Sequence, residues 1–294
     1  MNAQSGRLRR AAQRSLVVLV VLFASCATLP PPAAKTPEHA FATPQATALG
    51  KQVLAAAPAP DASGFRVLQA GGDAFAALSA LIERAQHTLD LQYYIVRDEV
   101  SARKLLRGVY TAAGRGVKVR ILVDDLNTAG EEDVLLCLAQ QGHIEVRLYN
   151  PFPSGRFSTL SRVAASATDA RRISARMHNK MLIADNAFAV TGGRNLGDAY
   201  FVQGKQMNFL DLDLLVAGPV VRKLSGSLDS FWNNDLAYPI ATLVTRKPAC
   251  DGADPVHAQT EQQTHDVPPS DTETDARARA VMQELQQGKL NLTW

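Results

Sequence analysis

The stretch RMHNKMLIADNAFAVTGGRN, Arg176 to Asn195, sets His178, Lys180 and Asp185 at fixed offsets and follows them with Gly192, Gly193, Arg194 and Asn195. In an extended segment side chains two apart project to one face, so His178 and Lys180 point the same way with Leu182 beyond them. Asn179, Met181 and Ile183 take the other face. An imidazole with an ordinary pKa of about 6.5 can act as nucleophile or proton shuttle near neutrality. A lysine beside it is a fixed cation for a phosphate oxygen and favours the neutral, nucleophilic ring. The glycine pair removes side-chain bulk and frees backbone N–H groups, and Asn195 adds an amide donor; such groups can hold an oxyanion as charge develops. Arg171, Arg172, Arg176 and Arg194 make the region cationic. These residue types fit attack on a phosphodiester.

Other chemistries fit less well. One histidine flanked by lysine is no ligand cluster, and no second histidine lies at ligand spacing, so no metal is expected. There is no GxSxG elbow for a serine hydrolase and no GxxxxGK[ST] loop for a nucleoside triphosphate. With 294 residues, 46% hydrophobic and 20% charged, the chain has the composition of a globular protein. A net charge of +3 gives no overall bias toward nucleic acid.

The elements that must position the motif alternate along the chain. Helical periodicity covers Asp73–His87, with Phe75, Leu78, Ile82 and Ala85 on one stripe, and a strand follows over Leu89–Val96. Ser101 caps a helix to Ala113, Val117–Asp125 reads as a buried strand, and a helix over Glu131–Gln141 leads into the strand HIEVRLY. After a long loop, MHNKMLIADNAFAVTGG reads as two short strands turning at Asp185-Asn186. NFLDLDLLVAG gives a strand. PVVRKLSGSLDSFWNN gives a helix that starts on Pro219 and faces Val221, Leu224, Leu228 and Phe231 inward. The fold class is α/β, a layered domain with a largely parallel or mixed β-sheet flanked by helices.

The termini carry different signals. Residues 1–26 join a basic start (Arg7, Arg9, Arg10, Arg14) to an apolar run from Leu16 to Phe23, the pattern of a bacterial export signal. The order Leu22-Phe23-Ala24-Ser25-Cys26 resembles a lipobox, which would make Cys26 a lipidation site and the protein an envelope lipoprotein facing the periplasm. Residues 27–63, rich in Pro and Ala, are expected to be an extended tether, and residues 64–245 the domain that carries the motif. Cys137, inside an apolar helix, reads as a buried thiol. Residues 246–274 have the composition of a polar linker. Residues 275–294 begin with a short helix, and Leu290, Leu292 and Trp294 alternate as in a half-buried strand that starts a second half.

The pattern His178-x-Lys180-x4-Asp185-x6-Gly192-Gly193-x-Asn195 resembles the HKD motif of the phospholipase D superfamily. The segments DAFAALSALIERAQHTLDLQYYIV, AAGRGVKVRILVDD, IEVRLYNPF, GGRNLGDAYF and DLDLLVAGPVV are similar to bacterial cardiolipin synthase-like members, over roughly Gly64 to Asn234. The resemblance implies a phospholipase D-like fold and a phosphatidyltransferase without cofactor. Its nucleophile would be His178, its phosphoryl-binding groups Lys180 and Asn195, with Gly192, Gly193, Arg194 and Arg176 around the substrate. Asp211 would match the acid that orients the imidazole, and Asp185 would support the hairpin rather than the reaction. The implied partners are a phosphatidylglycerol-like phospholipid, an alcohol acceptor and a membrane.

Members of this type carry two HKD motifs, and here none of His39, His87, His143, His257 and His265 has a lysine two residues on. A homodimer or a separate second half would supply the missing histidine. The competing readings are a periplasmic nuclease with the same chemistry, disfavoured by the low charge and the lack of an aromatic-basic stripe, and a catalytically incomplete half-enzyme.

Overall fold

The computed structural model describes residues 29–31, 36–153, 174–201, 208–248, 250, 272–289 and 291–294. Cys26, Arg171 and Arg172, and most of the expected polar linker, lie outside the described residues. Eight strands form one mixed sheet in the order β1-β7-β6-β5-β2-β3-β4-β8. They are β1 (Gly64–Leu68), β2 (Thr88–Tyr93), β3 (Lys118–Asp124), β4 (Ile144–Tyr149), β5 (Met181–Ala184), β6 (Phe188–Gly192), β7 (Asp213–Ala217) and β8 (Ala237–Pro239). β2, β3 and β4 run parallel, joined through helices, and every other pairing is antiparallel. The α/β class and mixed sheet are thus those read from the alternation of periodicities.

Alternation places Leu89, Leu91 and Tyr93 of β2 and Leu182 and Val190 of the β5–β6 hairpin on one face. There they meet helix α2 (Gly71–Arg84), α3 (Val100–Gly114) and α4 (Glu132–Leu138) in the larger core. The opposite face, with Met181, Ile183, Ala189 and Val216, packs under α5 (Pro219–Trp232). Trp232, fully buried, is the anchor of α5, whereas the predicted Phe231 is only partly covered. Beneath α5 the Arg120 guanidinium donates to both oxygens of Asp90 at 2.6 and 2.9 Å and lies 2.8 Å from Asp229. Arg147 stacks 4.1 Å over the Trp232 ring and donates to its carbonyl.

The segment expected as a tether is docked on the body where it is described. Helix α1 (Ala48–Ala56), capped by Thr47, buries Leu49 and Val53. Upstream, Asn233 exchanges two hydrogen bonds with the Glu38 backbone, Asp229 accepts from Ala40 N–H, and Phe41 stacks on His87 at 4.7 Å. The composition of this stretch is that of a linker, but its two apolar side chains find a cavity that only the folded body provides. Toward the other end, α7 (Thr272–Gln286) lies on α2 with Val281 and Leu285 buried, after a single-turn helix α6 (Ile240–Leu243). The predicted strand at the end is one antiparallel bridge of Thr293 to Phe65 on the outer edge of β1. Among the described residues no helix is long and apolar enough to cross a membrane.

Cys137 is not a free thiol, because it is bonded to Cys250 across a sequence separation of 113 residues with a Cα–Cα distance of 5.7 Å. Closing a loop of that length restricts the unfolded chain strongly. Cys250→Ser is expected to lower unfolding free energy by about 2–5 kcal/mol, measured as a shift of the urea midpoint. An unchanged midpoint, with the parent shown to be oxidised, would refute a stabilising role for this bridge.

Candidate active site

The site sits where β5 begins. His178 is exposed, and Lys180, two residues on, is buried at 6% exposure. The Lys180 Nζ lies 2.9 Å from His178 Nδ1 and 3.1 Å from Nε2, and donates to the His178 carbonyl at 2.8 Å. Tyr94, not anticipated from the sequence, stands beside the pair. Its ring is 4.6 Å from that of His178 and 5.3 Å from the Lys180 ammonium.

Burial holds Lys180 below the ordinary lysine range, and the negative charge of Asp211 opposes the shift. A lysine whose pKa is lower folded than unfolded destabilises the fold while it is charged. That cost is full below the folded pKa, falls as pH rises through it and vanishes above the unfolded value of about 10.4. Lys180→Met is therefore expected to melt higher than the parent near neutrality, with the difference shrinking in alkaline buffer. A difference in melting temperature that grows with pH would contradict this account.

The glycine pair works by close approach. A Cβ on Gly193 would collide with the Asp211 carboxylate, coming within 2.9 Å of its Cγ, and one on Gly192 would reach Asp213 Cα at 2.6 Å. Their backbone N–H groups are not free for an oxyanion, which corrects the sequence expectation. Gly192 donates to the Lys180 carbonyl at 3.2 Å and Gly193 to the Leu212 carbonyl at 3.0 Å. These bonds bring Asp211 against the motif. Among the described residues no hydrogen bond joins Asp211 to the His178 ring; its carboxylate acts on the site through the charge of Lys180. Gly193→Ala should push Asp211 aside and cut turnover at this site about a hundredfold while costing only about 1 kcal/mol of stability, read by parallel assay and thermal melt.

Other residues named from the sequence are occupied structurally. Arg194, expected around the substrate, is buried and donates to the carbonyls of Leu68, Gln69 and Tyr200 and to Asp213. Arg176 makes a bidentate pair with the buried Asp124, so it ties the start of the motif to the end of β3 instead of facing a ligand. Burial raises the Asp124 pKa and the Arg176 cation offsets it. Asp213, beneath the glycine pair, is likewise raised by burial and held down by the N–H and charge of Arg194. Asn195 is buried, and its side-chain oxygen accepts from Ile95 N–H at 2.9 Å, leaving the amide NH2 as donor.

Asp185 is at the far end of β5, about 16 Å along the strand from Lys180. It accepts from the N–H groups of Gln86, His87 and Thr88 at 2.7–3.2 Å. With Asn186 it forms a turn in which both residues have positive φ, 52° and 51°. The geometry assigns it to the start of β2 and the hairpin turn, away from the His178 ring. Among the described residues no group of three or more His, Cys, Asp or Glu side chains is placed to hold a metal ion.

A mixed α/β sheet with a histidine-lysine pair at a strand mouth, backed by a glycine pair and carboxylates, defines a phospholipase D-like domain. The chain belongs to the phospholipase D superfamily: the family described as "Cardiolipin synthase, PLD-like domain" matches residues 78–232. It is 44% identical over 185 residues to cardiolipin synthase C of Escherichia coli (strain K12), covering 63% of this chain and 38% of that protein. It is 36% identical over 188 residues to an uncharacterised protein of Helicobacter pylori, covering 64% and 37%. The chain thus spans less than two fifths of the length of these curated relatives. Among solved structures, the phospholipase D family member Nuc from Salmonella typhimurium is similar with a TM-score of 0.43 and 17% identity, over 60% of this chain and 98% of that one.

Proposed function

We propose that this chain provides the nucleophilic site of a phospholipase D-type phosphatidyltransferase or phosphodiesterase acting on a phosphatidylglycerol-like phospholipid. The observation that carries this reading is the exposed His178 ring held against the buried Lys180 ammonium at 2.9 and 3.1 Å. An arriving phosphate draws the ammonium onto its oxygens, with the Asn195 NH2 as a further donor, and so releases the ring lone pair. The freed nitrogen bonds to phosphorus as the phosphorus–oxygen bond to the leaving alcohol breaks, and that alcohol takes up a proton. An acceptor alcohol, or water, then attacks the phosphohistidine and gives up its proton, returning the free histidine. Asp211 keeps Lys180 cationic during both steps.

In this reading the proton donor for the leaving alcohol is a second histidine, from another copy of this chain or from a further half, since these 294 residues hold a single His-x-Lys pair. Export to the envelope, with Cys26 as a lipid anchor, belongs to the same reading. The Cys137–Cys250 bond supports an oxidising compartment. The test is incubation of the full chain with phosphatidylglycerol and an alcohol acceptor, followed by alkaline quenching to trap a phosphorylated histidine. An alkali-stable, acid-labile adduct on the peptide holding His178, together with the exchanged lipid, is expected. Exchange without any such adduct overturns the covalent route.

A further inference from the structure

Six large hydrophobic side chains stand exposed among the described residues, and five of them gather at one edge: Phe65, Val67, Phe209, Leu210 and Leu212. The pairing explains their proximity. Val67 is opposite Leu214 in the β1–β7 ladder, and residues directly opposite share a face, so Phe65, Val67, Leu212 and Leu214 form one apolar stripe. Phe209 and Leu210 extend it beyond the strand end. Leu212 and Leu210 flank Asp211, one residue or about 3.3 Å of chain away on either side. The stripe therefore ends at the rim of the sheet that carries Asp211, whose own side chain takes the opposite face of the strand.

From this edge we infer that the stripe is the surface by which the protein lies on a lipid bilayer, with Leu210 as the side chain that enters it. The inference rests on the phospholipid reading of the site and names where that substrate is met. Leu210 is fully exposed yet not on a free loop. Phe209 N–H donates to the Ala199 carbonyl and its ring stacks on Tyr200 at 4.9 Å, and the Leu212 carbonyl accepts from Gly193. A leucine presented rigidly into solvent suits a fluid apolar phase, which needs no complementary pocket. At Phe65 the outer edge is already taken, since its N–H and C=O are paired with Thr293, which shortens the run left for an added strand. The charge between the two apolar residues of β1 is neutralised, because Arg66 is bonded to Glu284 at 2.5 Å. What remains is apolar surface that reaches the rim of the sheet at which the site for a lipid phosphate opens.

The experiment places a tryptophan at this position, Leu210→Trp, in the full chain also carrying His178→Ala, so that binding is read without turnover. Vesicles of phosphatidylglycerol and phosphatidylcholine with brominated acyl chains are titrated in, and the same chain without Leu210→Trp gives the background of Trp232 and Trp294. Blue-shifted emission from the introduced tryptophan, quenched by the brominated chains, is expected. Emission that stays water-like on vesicles that have bound the protein overturns the inference. A blue shift that follows protein concentration and ignores lipid also overturns it and assigns the stripe to contact between copies. In a chain with His178 intact, Leu210→Asp is expected to reduce turnover of vesicle lipid about tenfold or more, with turnover of a soluble short-chain analogue within about twofold. Equal loss on both substrates counts against docking. Should the phosphatidyltransferase reading itself fail, turnover is absent throughout while the quenching result still stands.

Discussion

Asp185→Ala should leave little folded protein at room temperature. The carboxylate accepts from three consecutive backbone N–H groups at the start of β2, and Asp185 is fully buried. Alanine removes the charged acceptor of all three, at about 1.5–3 kcal/mol for each hydrogen bond, and it is poorly suited to a φ of 52°. The sum, about 5 kcal/mol, is comparable with the whole stability of an ordinary domain. Asp185→Asn keeps one acceptor oxygen and tolerates the left-handed backbone, so it is expected to fall between alanine and the parent. Urea titration of the three proteins checks the order. An alanine variant within about 1 kcal/mol of the parent would show that the N–H groups find other partners.

His178→Ala is expected to have the opposite profile. Under the proposed covalent mechanism its loss costs on the order of ten-thousandfold or more in turnover, because the remaining groups can only bind and polarise the phosphate. Stability should hardly change, since the ring is exposed and makes its described contacts with Lys180 and Tyr94. Transphosphatidylation of phosphatidylglycerol and a thermal melt, run side by side, separate this from a folding defect. Residual turnover within about tenfold of the parent would remove His178 from the nucleophile's role. The motif thus divides: its histidine and lysine stand against each other at the mouth of β5, and its aspartate ties the far end of that strand to the start of β2.

The sequence reveals those parts that depend on short spacing. A two-residue offset brings His178 and Lys180 to one face, and Asp185-Asn186 marks the turn, because both follow from local backbone geometry. What lies across strands is not legible in this way. The glycine pair looks like a source of free N–H groups until the β6–β7 pairing, with Gly192 opposite Asp213, is known. That register explains both why glycine is needed and why its N–H groups are already used. Arg176 and Arg194 look like ligand-binding cations because a sequence does not show that Asp124 and Asp213 await them inside the fold. Helical periodicity points Phe231 inward, but the cavity above Arg147 is filled by its neighbour Trp232. Tyr94 goes unnoticed because an aromatic residue in a strand is most simply read as core.

The order of strands in the sheet also dictates an order of events. β2, α3, β3, α4 and β4 form a run of neighbours that can close as soon as each is synthesised. β1 cannot, since Leu68 is paired with Asp213, roughly 145 residues downstream, and must wait for the hairpin and β7 to be in place. During that interval Phe65 and Val67 sit on an unpaired strand, the kind of species that misassociates or recruits chaperones. The chain is therefore most vulnerable before β7 emerges, and β1, although first in the sequence, becomes native later than the parallel strands β2, β3 and β4.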